Sequence, residues 1–89
     1  MMTECSTIRR KRLLHQARYR GCLESDLLMG RFATQHLGEF DERQLDRFEA
    51  LLNEADQDVL AWVSGRATVP EEHNNDVFLK LMTFDILET

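Results

Sequence analysis

Asp41 and Gln44 stand three residues apart, and behind them Leu45, Phe48, Leu51 and Leu52 recur at intervals of three and four. That arrangement dictates a helix. Asp41 can cap the first turn while Gln44 reaches back, which satisfies two otherwise unpaired amides. The apolar residues then form one stripe, with Glu42, Arg43, Asp46, Arg47 and Glu49 on the outside. A one-sided helix must be buried against something. A chain of 89 residues has room for one small core, so its partners must be elements of the same chain. Those partners are also helical. No segment shows sustained alternation or a hairpin dipeptide, and β-branched residues never cluster.

One proline and four glycines leave long uninterrupted stretches. Ser6 or Thr7 can cap a first helix running to about Arg20, with Leu13, Leu14 and Ala17 inward. Gly21 then serves as the left-handed residue that ends it. A second helix carries Leu23, Leu27, Leu28, Phe32 and Leu37 inward and closes near Gly38. Asp56 is expected to cap a fourth, with Val59, Leu60, Trp62 and Val63, stopped by Gly65. Pro70 is expected to open a fifth, which buries Val77, Phe78, Leu81 and Met82, with Asn74 and Asn75 weakening its first turn. The fold class is all-α, a small bundle of about five short helices. We expect a single domain over residues 1–89, with a flexible start at about 1–6 and a helical core at about 7–86.

The net charge of −5 is unevenly spread. Residues 1–20 hold Arg9, Arg10, Lys11, Arg12, Arg18 and Arg20 against Glu4, giving +5, and the rest of the chain carries −10. Two readings stay open: a dipolar surface that orients a protein partner through residues such as Arg9 and Arg12, or cancellation within the molecule. The acidic body argues against nucleic acid. Cys5 and Cys22 are too few for a disulfide framework or a zinc site. The start MMTECST lacks an apolar signal core, and no apolar run approaches the roughly 20 residues of a membrane span. We therefore expect a soluble protein of a bacterial cytoplasm, with a mitochondrial matrix as the lesser alternative, no membrane insertion and a monomer when free.

Catalytic chemistry is hard to find. His15, His36 and His73 fall on different elements without a second ligand at metal spacing, and read as surface or half-buried structural residues. There is no nucleophile elbow and no glycine-rich phosphate loop. Trp62 and Phe48 sit at core spacing, so they read as core and not as a stacking platform. No catalytic residue, metal site or bound cofactor is expected, and the chain does not read as an enzyme.

The stretch YRGCLESDLLMGRF, residues 19–32, keeps two readings. It can be a helix junction, with Gly21 as terminator and Glu24 and Asp26 as acids suited to the next helix start. It can also be a rigid corner on which Arg20 and Glu24 form a donor–acceptor pair for a partner. Gly30 is unexplained by either, because glycine inside a helix costs roughly 1 kcal/mol relative to alanine. Something packs close there, or something needs the backbone.

RGCLE, residues 20–24, matches the RGxxE motif of the SdhE/Sdh5 family, the succinate dehydrogenase assembly factor 2 proteins. DLLMGRFATQHL resembles that family's D-L-L-x-G-x-F-A stretch, RRKRLL is similar to the start of many bacterial members, and EADQDVLAWVSG resembles its acidic-x-D-x-x-x-W segment. The resemblance runs from Arg9 to near Met82. It implies a five-helix factor that binds the flavoprotein subunit of succinate dehydrogenase, and in some bacteria that of fumarate reductase. The factor promotes covalent attachment of FAD, which the partner carries and this chain does not bind firmly. Arg20, Gly21 and Glu24 match the motif, Asp26 the acid opening the next helix, and Gly30 and Phe32 the glycine and phenylalanine. Glu24 is either a structural contact or a proton-transfer group. Cys22, Leu23 and Ser25 depart at variable positions, Ser25 where an apolar residue is frequent. Asn75 departs in the fifth helix, which puts the docking of that helix in question. The rival reading is a generic interaction module, antitoxin-like, that binds a different protein.

Overall fold

A computed structural model describes residues 6–21 and 23–84. Five α-helices follow one another: α1 (Ser6–Arg18), α2 (Leu23–His36), α3 (Glu42–Leu52), α4 (Asp56–Ser64) and α5 (Asp76–Thr83). Short 3-10 turns, Leu37–Glu39 and Glu71–His73, follow α2 and precede α5. No strand occurs among the described residues. The all-α reading is therefore correct, and α3 begins as its sequence requires. Asp41 accepts from the Gln44 amide at 2.8 Å, and the Gln44 side chain accepts from the Asp41 amide at 3.0 Å.

The helices meet around Phe32, which is fully buried. Its ring lies 5.7 Å from Phe48 of α3, 6.0 Å from Phe40 and 5.7 Å from Phe84. Such tilted and edge-on pairs suit the ring quadrupoles. Leu13 and Ala17 enter from α1, Met29 and Ala33 from α2, Leu45 and Leu51 from α3, Val59 from α4, and Val77, Phe78 and Leu81 from α5. Trp62 packs against this core, half-buried, as its spacing required.

Gly30 marks the closest approach of α1 and α2. A methyl group placed there would lie 3.2 Å from Arg18 Cγ and 3.6 Å from Arg18 Cα. The glycine thus removes the side chain that would hold the two helices apart, at its usual cost in helix propensity.

Several expectations are corrected. Leu23 is 75% exposed, and Leu27 and Met82 also face outward; Met29 and Ala33 take the places assigned to the two leucines. α1 stops at Arg18, two residues early. α4 is capped by Ala55 with no side-chain bond, since Asp56 is engaged elsewhere. Pro70 precedes the 3-10 turn and not α5, whose cap is Asn75, accepting from the Phe78 amide at 3.1 Å. The residue that was to weaken α5 therefore starts it, and the buried Val77, Phe78 and Leu81 show that the helix docks.

The charge asymmetry resolves largely within the molecule. Arg9 spans from α1 to α3 and meets Asp46 at 2.6 Å, Glu49 at 2.9 Å and Glu42 at 3.3 Å. Arg12 meets Glu49 at 3.0 Å. Arg9 and Arg12 thus act as a clamp between helices. Arg10 donates to the carbonyls of Leu37 and Phe40 at 3.1 and 2.6 Å, closing the turn after α2. On the other side of α3, Asp76 accepts from Gln44 at 2.9 Å and from Arg47 at 2.5 Å.

These contacts titrate. The hydrogen bond from Arg12, then that from Arg9, holds the Glu49 carboxyl below its ordinary range. Gln44 and then Arg47 do the same for Asp76. A carboxylate depressed by folding contributes stability above its unfolded pKa, about 4, and that contribution is lost as pH falls through the lower folded value. The urea midpoint should accordingly hold steady from pH 7 to 5 and drop below pH 4, with a shallower drop in Glu49→Gln. At Gly30, alanine should be close to neutral, because a helix-propensity gain of about 1 kcal/mol offsets the tight contact. Gly30→Leu should lower unfolding stability by about 1–3 kcal/mol through overpacking, read from the same urea curves.

Candidate functional site

The corner between α1 and α2 is set by Gly21, whose φ of +95° lies in the region that L side chains rarely adopt. A Cβ there would meet nothing within 4 Å. The glycine therefore serves the backbone conformation, not a crowded contact. Asp26 closes the corner by accepting from the Arg20 amide at 2.7 Å. It is half-buried, and this bond gives it a structural role in the turn.

Arg20 points inward, with 7% of its side chain exposed. Its guanidinium donates to the Leu52 carbonyl at 2.7 Å, the Glu54 carbonyl at 2.6 Å and the Asp56 carboxylate at 2.5 Å. Ser25, fully buried, donates to the same Asp56 oxygen at 2.9 Å. The placement follows from elementary electrostatics. Leu52 ends α3, where carbonyls lack helical partners and the dipole favours a cation. Asp56 begins α4, where an anion is favoured. One planar fork, five donors wide, serves three acceptors at once.

The paired reading of Arg20 and Glu24 is thereby corrected. Glu24 is exposed and has no hydrogen bond or ion pair among the described residues. The motif separates into an inward arginine that fixes the corner, a glycine that turns it, and an outward glutamate. Tyr19 (70% exposed) and Leu23 flank the turn and face solvent with it. Cys22 lies outside the described residues.

The α3–α4 turn is held from its other side as well. His73, 2% exposed, lies 2.6 Å from Glu54 through Nε2 and packs on the Trp62 ring at 5.5 Å. The structural role expected of this histidine holds, but it is fully buried where a surface or half-buried position was expected. Folding also brings Glu54, Glu72 and His73 together, with potential ligand atoms within 4.8 Å of one another. Sequence spacing gave His73 no such companions, because Glu54 is 19 residues away. The direct His73–Glu54 bond already employs two of the three groups.

Asp56 and Ser25 were not singled out as corner residues by sequence reasoning. The available signal was Asp56 as the leading acid of the segment ending at Trp62. Its partner, Arg20, stands 36 residues upstream, beyond the reach of any local pattern.

The helical architecture and this corner define a small all-α protein whose motif residues are divided between scaffold and surface. A family model described as Sdh5, flavinator of succinate dehydrogenase, matches residues 11–85. The chain belongs to this family. It is 41% identical over 85 residues to the mitochondrial succinate dehydrogenase assembly factor 2 of Scheffersomyces stipitis, covering 92% of this chain and 57% of that protein. The namesakes in Debaryomyces hansenii and Dictyostelium discoideum are 40% and 45% identical, covering 92% and 82% of this chain and 60% and 51% of theirs. The chain thus spans about half to three-fifths of the length of these relatives. Their names correct the expectation of a bacterial cytoplasm, since these are mitochondrial proteins of eukaryotes. Assembly-factor membership points to a non-catalytic role.

The two charged motif residues should behave oppositely in folding assays. Arg20→Ala leaves Asp56 half-buried and unpaired, and should cost about 3–5 kcal/mol of unfolding stability. Glu24→Ala should stay within about 0.5 kcal/mol of wild type. Gly21→Ala should cost about 1–2 kcal/mol from its backbone angle alone. Equilibrium urea denaturation of the three variants measures all of this.

Proposed function

We propose that this chain binds the flavoprotein subunit of succinate dehydrogenase and promotes covalent attachment of FAD to it, without performing the chemistry itself. The observation that supports this reading is Glu24, exposed and without a partner among the described residues, on a corner that Arg20 locks from inside. Family membership gives the direction. Joining a protein side chain to a flavin draws on reactivity that the flavin already has. A factor need only hold the flavoprotein so that the reacting atoms stay aligned, and alignment can lower a barrier by several kcal/mol.

A surface that aligns another protein must itself be rigid. The corner meets that need through Gly21, the Asp26–Arg20 backbone bond and the Arg20 fork. Glu24 then meets donors on the flavoprotein, and Tyr19 and Leu23 supply apolar contact beside it. FAD is held by the partner in this reading.

Cells lacking the protein, restored with wild type or Glu24→Ala, test the proposal through flavin fluorescence of the denatured flavoprotein band. Wild type should restore covalent flavin and Glu24→Ala should restore at most a tenth of it, with both proteins folded and equally abundant. Full restoration by Glu24→Ala removes the corner from the mechanism. No restoration by wild type rejects the flavinylation role and favours a general interaction module.

A further inference from the structure

A second surface runs along the α1–α2 seam, starting beside the corner at Tyr19 and Asp26 and continuing to Gly38. Three adjoining hollows of about 420, 250 and 230 Å³ run along it. The first shares Arg18 with the second and Thr34 with the third, and the second and third share Lys11 and Leu14. They form one trough. Gly30 of α2 and Gly38 of the turn that follows it are among its lining residues. Its floor is apolar, with Leu14, Leu27 and Leu37.

The charge of this trough opposes that of the molecule. Arg10, Lys11, Arg18 and Arg31 line it against Asp26 alone, on a chain of net charge −5. Arg10 is committed to two carbonyls. Arg18 has only the Thr34 hydroxyl, at 3.3 Å, and neither it nor Lys11 has a carboxylate partner among the described residues. Among the described residues the charges of Lys11 and Arg18 are therefore not met by carboxylates as those of Arg9 and Arg12 are.

We infer that the α1–α2 trough is a docking site for an acidic amphipathic helix of a partner protein. The lining residues recur at spacings of three and four on both walls, which makes ridges that a third helix can cross. From Asp26 to His36 the wall is roughly 15 Å long, enough for about three helical turns. Apolar side chains of the incoming helix cover Leu14 and Leu27, and its carboxylates meet Lys11 and Arg18. A polyanion without apolar groups would leave that floor bare, on a chain whose net charge is −5.

The inference goes beyond the flavinylation reading and is tested apart from it. A photo-crosslinking benzoylphenylalanine is placed at Gln35, on the trough, or at Leu23, on the corner, in the full chain in cells, and the crosslinked peptides are sequenced. From Gln35 the expected product is an acidic amphipathic segment of one protein. Its yield should fall at least ten-fold in Lys11→Glu/Arg18→Glu. Lys11→Glu alone, an exposed position without an intramolecular side-chain bond among the described residues, should lower it at least three-fold and serves if the double variant is not folded. No product from Gln35, a product with nucleic acid or lipid, a segment without net negative charge, or a yield indifferent to charge reversal each overturns the docking site. A flavoprotein product from Leu23 with none from Gln35 keeps the proposed function and removes the trough. An acidic segment of a different protein at Gln35, with no flavoprotein product at Leu23, keeps the trough and removes the function.

Discussion

The bond network of the Arg20 guanidinium is the constraint on which the rest of this small protein depends. It joins the α1–α2 corner to the turn between α3 and α4, two regions that share no local sequence relation. Burying a cation is costly unless its charge and its donors are satisfied. Here the carboxylate of Asp56, the end of α3 and a second carbonyl provide for it. His73 grips the same turn through Glu54. A chain of this size buries a modest core, and such ties fix the orientation of helix pairs that apolar packing alone would leave free to slide.

The same economy explains the division of labour within the motif. Arg20, Gly21 and Glu24 read in sequence as one unit, yet they act on opposite sides of the backbone. Arg20 faces the interior, and Glu24 faces solvent. A corner built this way presents its outward residues with little conformational freedom, which is what positioning a partner requires. α1 shows a similar division. Arg9 and Arg12 hold α3, Arg10 closes the turn after α2, and the positive charge left for other molecules lies along the trough with Lys11 and Arg18.

Legibility followed the range of the interaction. α3, with its capping box and four core residues, could be read almost residue by residue because cap and stripe are encoded within twelve positions. Gly65, at positive φ, marks the end of α4 for the same local reason, whereas Gly21, also at positive φ, marks the turn three residues after α1 has ended at Arg18. Leu23 and Leu27 misled because apolar residues on two faces of α2 compete, and only the crossing of α1 at Gly30 decides which face is covered. Asn75 misleads because an asparagine weakens a helix interior but caps its start, and α5 begins at Asp76 and not at Pro70.

The sequence by itself determined the helical class, the number of helices and the local stops, since these depend on neighbours within about four positions. The tertiary structure alone decided that Glu24 of the motif faces solvent and Arg20 the interior. It also decided that half-buried Asp56 and buried Ser25 and His73 are structural ties, and that cations on α1 are cancelled at Arg9 but not at Lys11. The reason is physical: burial and charge pairing depend on which side chains meet in space, and here those partners stand 19 to 40 residues apart.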